Sequence, residues 1–187
     1  MKKILLALAA LAFVACNEEK KAAPAAKTPQ VAPKPPAPHY EMQGMGFLQY
    51  DHSLPLQGIS DPALSLTQMA GKPNMIYYFS ATCPHCQQTY PKFAKLVEKY
   101  KDQFNIYAVA SPRNTPAQID EFVKNQNVQL PLFQDKKIAY SKTYGVGTVP
   151  LVILTNQHGN YLRYKSWDRQ VEDFAKEADK IVKEISK

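Results

Sequence analysis

Two cysteines three residues apart, Cys83 and Cys86, follow closely on an apolar run at residues 75–79. A short apolar run of this kind predicts a buried strand, and the Pro-His-Cys segment after Cys83 predicts the start of a helix. The strand would hold the first sulfur at the edge of a sheet, and the C-x-x-C spacing lets the second sulfur close a small ring with it. The sequence therefore predicts a redox-active dithiol, because a disulfide across so short a loop stabilises a fold little.

The residues between the two cysteines indicate how their chemistry is divided. Pro84 suits the first helical turn, which makes Cys83 the N-cap, facing free backbone N–H groups and the positive end of the helix dipole. His85 adds a possible donor and, when protonated, a positive charge. We expect the Cys83 thiolate to form more readily than that of a free cysteine, whose pKa is about 8.5. Cys86, one turn into the helix, is predicted to be more buried and to act as the resolving thiol.

Two other interpretations of the cysteine pair have less support. A closed structural zinc site needs about four ligands, whereas His39, His52 and His158 are scattered and Cys16 lies far from the pair. A purely structural disulfide is conceivable in an exported protein, although its loop is short. We therefore expect no metal and no cofactor other than the redox-active disulfide Cys83–Cys86.

The first fifteen residues have the pattern of an export signal. Lys2 and Lys3 precede an apolar stretch at 4–14 that is too short to span a membrane comfortably. Residues 13–16, Phe-Val-Ala-Cys, resemble a bacterial lipobox, in which cleavage leaves a lipidated Cys16 at the new N-terminus. This interpretation predicts a lipoprotein of the bacterial cell envelope, anchored to a membrane and facing the periplasm. Phe13 departs from the usual leucine, so an ordinary signal peptide remains the alternative.

Residues 16–39 form a spacer rich in Pro, Ala and Lys, with prolines at 24, 29, 33, 35, 36 and 38. Such a segment buries little apolar surface and favours an extended, semi-stiff chain. The formal charge of the whole sequence is +7, and loss of Lys2 and Lys3 would leave 21 basic and 16 acidic residues, or +5. We expect no nucleic-acid partner, because lysines spread over helical faces account for this excess in an exported protein.

The remaining residues, 40–187, are enough for one folded domain, and strands alternate with helices in an α/β pattern. Strands are predicted at 75–79, 106–110, 151–154 and 161–164. Helices are predicted from Pro84 to about 101, from Pro116 to 126, within 135–144, and from an N-cap at Asp168 to the end of the chain. The inward stripe of the last helix is predicted to hold Val171, Phe174, Ala178, Ile181, Val182 and Ile185.

These features together resemble the thioredoxin superfamily, and in particular its exported TlpA/ResA-like thiol:disulfide oxidoreductases. The resemblance covers most of residues 71–187 and rests on the dithiol, on Pro91, and on the segment Thr148-Val149-Pro150 before a strand. It implies a central mixed β-sheet flanked by helices, with Pro150 as a cis-proline facing the dithiol. It further implies that the backbone of Val149 pairs with the client peptide like an added strand, and that Thr148, Val149 and Pro150 bind the substrate.

The sequence departs from this family at the redox loop. Thr82 replaces a tryptophan that often precedes the first cysteine, and Tyr77 stands where many members carry a buried acid that helps to deprotonate the resolving thiol. The Cys-Pro-His-Cys motif and the valine before Pro150 instead resemble DsbA-type oxidases. The direction of electron flow is therefore open.

The favoured hypothesis is an envelope oxidoreductase that oxidises cysteine-containing exported proteins and is reset by a membrane or envelope redox partner. The alternative enzyme runs in the reducing direction, for instance on the haem-binding cysteines of apocytochrome c. A non-enzymatic alternative is a tethered metal or protein chaperone, since Cu(I) suits two thiolates.

Overall fold

A computed structural model describes residues 49–165 and 167–186 of the chain. The predicted signal peptide (1–15), the lipidated Cys16 and the spacer (16–39) lie outside the described residues, as does most of the irregular segment predicted at 40–50. Among the residues that are described, no helix is both long and apolar enough to cross a membrane.

Strands and helices alternate through the described residues, as the α/β pattern predicts. The strands are β1 (Gln57–Gly58), β2 (Asn74–Phe79), β3 (Asn105–Ala110), β4 (Leu132–Gln134), β5 (Leu151–Thr155) and β6 (Tyr161–Tyr164). The helices are α1 (Pro84–Tyr100), α2 (Pro116–Gln126), α3 (Ala139–Thr143) and α4 (Val171–Ile185), with 3₁₀ turns at Leu66–Met69 and Trp167–Arg169.

The six strands form one mixed sheet in the order β1–β4–β3–β2–β5–β6. β2, β3 and β4 are parallel, whereas β1, β5 and β6 each run antiparallel to a neighbour. The predicted α/β class with a mixed central sheet is therefore confirmed. Because the three parallel strands point the same way, the loops that follow them meet at one edge of the sheet.

Helices cover both faces of the sheet, and β2 is therefore buried along its whole length. Met75, Tyr77 and Phe79 pack on one face with α1, α2 and α4, and Ile76 and Tyr78 pack on the other with α3 and the first 3₁₀ turn. This alternation is the period of two expected of a strand. Cys86 belongs to the first of these clusters, so the start of α1 is fixed by the core beneath it.

The structure differs from the sequence-based prediction at two strands and at the last helix. β1 and β4, of two and three residues, are too short to give a recognisable pattern. The prediction that Asp168 caps the last helix is wrong: α4 begins at Val171, and Gln170 is its N-cap. The cause is Trp167, which is fully buried against Tyr77 and Phe93 and holds residues 167–169 in a separate turn.

The inward stripe of α4 is confirmed except at its end. Phe174, Ala178 and Ile181 are buried, and Val171 and Val182 are partly buried against the same core. Ile185, predicted to face inward, is instead 39% exposed. It is the last residue of α4, where the helix extends past the core.

Candidate active site

The first thiol of the pair lies at the junction between β2 and α1. Cys83 is the N-cap of α1, with extended backbone angles (φ −82°, ψ 116°), and Pro84 is the first helical residue. The backbone N–H of Cys86 points to the Cys83 sulfur at 3.4 Å, and the N–H of Cys83 donates to the Ser80 carbonyl at 3.1 Å. The predicted capping position of Cys83 is confirmed, and an N–H donor is available to a thiolate there.

The two thiols have different environments. Both are free in this structure, with Cys83 partly exposed and Cys86 fully buried. Burial raises the pKa of the Cys86 thiol well above its ordinary value, and the adjacent Cys83 raises it further, against a lowering by the backbone at Ser80. The predicted greater burial of Cys86 is confirmed. Cys83 is therefore the sulfur that a client can reach, and Cys86 stays a protonated thiol until it reacts.

The segment at 148–150, which the resemblance implies binds the client, lies beside Cys83. The Val149–Pro150 peptide bond is cis, and the Val149 carbonyl oxygen lies 3.9 Å from the Cys83 sulfur. Thr148, Val149 and Cys83 all line one open groove of about 690 Å³. The carbonyl of Val149 is thus available beside the reactive sulfur. Its pairing with a client backbone stays a prediction.

Tyr77 occupies the position at which the family resemblance implies a buried acid. Its hydroxyl donates to the Cys86 carbonyl oxygen at 2.9 Å and lies 3.1 Å from the Thr89 hydroxyl. Burial raises the pKa of Tyr77 far above its ordinary value, so this phenol stays protonated and cannot take the proton of Cys86. Its role here is to fix the first turn of α1 on β2.

The structure also brings to the dithiol a residue that sequence reasoning placed elsewhere. Asp168 Oδ1 lies 3.5 Å from Nε2 of His85, the histidine between the two cysteines. The Asp168 side chain is 17% exposed and that of His85 50%. No sequence signal links two residues so far apart, and Asp168 resembled an ordinary helix cap. A carboxylate here offsets part of the positive charge that a protonated His85 brings to Cys83.

We expect Asp168→Asn to raise the reduction potential of the dithiol by about 4–20 mV, since exposed ion pairs are worth about 0.2–1 kcal/mol and 30 mV corresponds to about 1.4 kcal/mol. The reason is that the His85 charge then acts unopposed on the Cys83 thiolate. The measurement is equilibration against glutathione.

Two control variants separate this effect from a general loss of charge. Glu172→Gln removes a carboxylate from the exposed side of α4 and should leave the potential unchanged. In a His85→Ala background, Asp168→Asn should have no effect, because the two side chains form one coupled pair. An equal shift without His85 would show that Asp168 acts on Cys83 by another route.

The expectation that the protein holds no metal stays a prediction. In residues 49–165 and 167–186, no three His, Cys, Asp or Glu side chains are grouped closely enough to hold a metal ion. The two sulfurs of the dithiol are the soft ligands available near the groove.

Thiol–disulfide exchange needs one accessible sulfur that can be attacked or leave, and a second that can close or open the disulfide behind it. Cys83 and Cys86 divide these tasks, and Val149, which precedes the cis-proline, lies beside the accessible sulfur. The fold and the site define a thioredoxin-like thiol:disulfide oxidoreductase. The model of the AhpC/TSA family matches residues 49–164, more than half of the chain, and the chain belongs to this family.

Curated relatives share part of the sequence. The chain is 26% identical over 123 residues to the thiol-disulfide oxidoreductase ResA of Halalkalibacterium halodurans, covering 64% of this chain and 69% of that protein. It is 24% identical over 117 residues to the thiol-disulfide oxidoreductase YkuV of Bacillus subtilis, covering 60% and 79%. The predicted resemblance to ResA-like oxidoreductases is confirmed.

Solved structures share the fold at lower identity. A structure of MTB dsbF in mixed oxidised and reduced forms has a TM-score of 0.60 at 17% identity, covering 70% of this chain and 96% of that one. A secreted Mycobacterium tuberculosis disulfide oxidoreductase, described as homologous to E. coli DsbE, has a TM-score of 0.54 at 16% identity, covering 59% and 81%. At these identities the likeness is one of fold.

Proposed function

We propose that this protein exchanges disulfides with cysteine-containing exported proteins through Cys83 and Cys86, and that its working direction is oxidation of the client. The observation that carries the proposal is the unequal pair of thiols beside an open groove. Cys83 is partly exposed in that groove and has an N–H donor, whereas Cys86 is sealed in the core.

The oxidising cycle has two exchange steps. A client thiolate attacks the Cys83 sulfur of the oxidised protein and forms a mixed disulfide, while the Cys83–Cys86 bond breaks and Cys86 takes up a proton. A second client thiolate then attacks the client sulfur of the mixed disulfide, and Cys83 leaves as a thiolate. The client gains a disulfide, and its two electrons remain on the Cys83–Cys86 dithiol until an envelope redox partner removes them.

Two features support oxidation. The Cys86 N–H, 3.4 Å from the Cys83 sulfur, stabilises Cys83 as the leaving thiolate of the second step. Because burial raises the pKa of Cys86 and Tyr77 cannot act as its base, Cys86 attacks the mixed disulfide slowly. A client therefore has time to complete the second step.

Reduction of client disulfides, such as those of apocytochrome c, is the second candidate. The observation that favours it is Asp168, whose carboxylate offsets the charge of a protonated His85. A dithiol with a less stabilised Cys83 thiolate holds its disulfide more firmly and is a weaker oxidant.

We also propose that the protein acts at the periplasmic side of a bacterial membrane, held there by a lipid on Cys16 after removal of residues 1–15. The export pattern of 1–15 and the extended spacer at 16–39 support this location. The test is the fate of Cys16→Ser in cells: the variant should leave the membrane fraction and become soluble in the envelope. Retention in the membrane would contradict the lipid anchor.

The direction is tested by the reduction potential of the full chain carrying Cys16→Ser, in which Cys83 and Cys86 are the only thiols. Equilibration with glutathione should give a value nearer the strongly oxidising end of this class, about −120 mV, than the thioredoxin end, about −270 mV. A value at the thioredoxin end would make reduction the function. Stoichiometric Cu(I) binding that survives a chelator, without turnover of a dithiol peptide, would instead indicate the chaperone.

Cys86→Ser should trap clients on Cys83. With the resolving thiol removed, a reduced Cys83 that attacks a client disulfide has no internal thiol to release it. We expect mixed disulfides that survive denaturing electrophoresis and disappear on reduction, and the paired variant with Cys83→Ser as well should form none. Failure to accumulate any adduct would contradict Cys83 as the client-reactive sulfur.

A further inference from the structure

The groove beside Cys83 has two exposed cations in its wall. Arg113 follows β3 and Lys136 follows β4, and both line the groove together with Cys83, which follows β2. β2, β3 and β4 are parallel neighbours, so these three residues lie on loops at the same edge of the sheet. A client segment that brings its cysteine to Cys83 therefore lies in the groove, next to Arg113 and Lys136.

The positive charges of the groove are not neutralised by their neighbours. Within 49–165 and 167–186, no acidic residue lines the groove and neither Arg113 nor Lys136 is in an ion pair. Asp135, next to Lys136, is fully buried and accepts hydrogen bonds from the Tyr140 and Ser141 N–H groups and from the Tyr78 hydroxyl. The Asp135 carboxylate therefore points into the interior and does not pair with Lys136.

The groove also offers apolar surface between its basic residues and the dithiol. Ile138 is 45% exposed and lines the groove with Val146 and Val149. Its backbone is left-handed (φ 59°), a conformation rare for a β-branched residue. The Ile138 N–H donates to the Asp135 carbonyl at 2.9 Å, and the Lys142 N–H donates to the Ile138 carbonyl at 3.1 Å. These bonds fix an exposed apolar side chain beside the two cations.

We propose that this groove selects client segments with acidic residues next to the reacting cysteine. Arg113 and Lys136 bind the client carboxylates, and Ile138 and Val146 contact an apolar client side chain. This inference rests on the proposed function and names the class of client that the same site accepts. Opposite charge brings the client to the groove faster and suppresses basic competitors.

The test uses three dithiol peptides that differ only in the residues flanking the cysteines, which are Glu, Gln or Lys. The oxidised full chain carrying Cys16→Ser is mixed with each peptide, and the second-order rate constant is measured by alkylating free thiols over time. We expect the Glu peptide to react about 3- to 10-fold faster than the Gln peptide at low salt, and the Lys peptide to react more slowly than both. This preference should fall as ionic strength rises.

Two double variants locate the effect. Arg113→Ala with Lys136→Ala should abolish the preference, so that the Glu and Gln peptides react at equal rates. The matched control, Lys72→Ala with Lys101→Ala, removes the same charge from two exposed positions. Lys72 precedes β2 and Lys101 follows α1, whereas Cys83 lies between the end of β2 and the start of α1. It should keep the full preference. An equal loss of preference in this control would assign the effect to net charge and overturn the proposal.

A small dithiol separates this inference from the function on which it rests. Dithiothreitol attacks as a thiolate, like each peptide, but it has no flanking carboxylate or ammonium group, so the ratio of its rate to that of the Gln peptide should be the same in both double variants. If dithiothreitol and the Gln peptide react but the Glu and Lys peptides do not differ, the client preference is wrong and the redox function stands. If no peptide is oxidised by a chain that dithiothreitol reduces, the proposed function fails as well.

Discussion

Cys83→Ser should lower the rate of disulfide exchange with a dithiol peptide by about 10³-fold or more, as expected when the only reacting nucleophile or leaving group is lost. The hydroxyl that replaces the thiol cannot form the mixed disulfide. Cys86 cannot substitute for it, because it is fully buried and burial raises its pKa. The measurement is peptide oxidation by catalytic amounts of the full chain carrying Cys16→Ser, with a glutathione buffer as the terminal oxidant.

The control for this variant is its stability. Serine keeps a side chain that can accept the hydrogen bond from the Cys86 N–H at the helix N-cap, so urea unfolding should show little change. Turnover retained by a folded Cys83→Ser variant would place the chemistry on another thiol and contradict the assigned site.

Alkaline pH should unfold the protein through its buried tyrosines. Burial raises the pKa of Tyr100 and raises that of eight others strongly, to about 12 for Tyr90; the other seven are Tyr50, Tyr77, Tyr78, Tyr107, Tyr140, Tyr144 and Tyr164. An unfolded tyrosine titrates near pH ~10. Below that value both states are protonated and stability is unaffected. Above it the unfolded chain loses protons first, so stability falls as pH rises towards the folded pKa values.

The expected size of this effect is large. At pH about 11 each such tyrosine costs about 1.4 kcal/mol, so the eight together cost about 11 kcal/mol, comparable with the whole stability of a typical domain. The measurement is the free energy of unfolding in urea between pH about 8 and 11. Tyr90→Phe is the matched variant, because burial alone raises the Tyr90 pKa, and its loss over this range should be smaller by about 1.4 kcal/mol. A stability that stays level to pH 11 would contradict the prediction.

Sequence reasoning could place the elements that carry strong patterns. The predicted bounds of α2 agree with the structure to the residue, because Pro116 begins the helix after a Thr115 cap. In the structure β2 and β3 each begin one residue before the predicted start. β4 has only three residues and follows Pro131. It becomes a strand because β3 beside it supplies partners, which is a tertiary effect with no local signal.

The residues of the candidate site likewise fall into those that a local motif or the family resemblance indicates and those that only the tertiary structure brings there. Cys83 and Cys86 lie in one short motif, and the family resemblance indicated that Pro150 would join them. Asp168, Arg113 and Lys136 come to the site only through the packing of Trp167 and the order of the strands. Charged residues in loops carry no periodicity, so their neighbours cannot be identified before the sheet is known.

The order of the strands places the redox pair and the basic wall on three different loops, each attached to its own strand. Substitutions in the loops after β3 and β4 can therefore alter which proteins are accepted while the sulfur chemistry, set at the start of α1, stays the same. Descendants of one ancestral protein could diverge in client choice at a constant potential. Exchange of residues 112–113 and 136–138 between relatives would transfer that choice without redesign of the thiol pair.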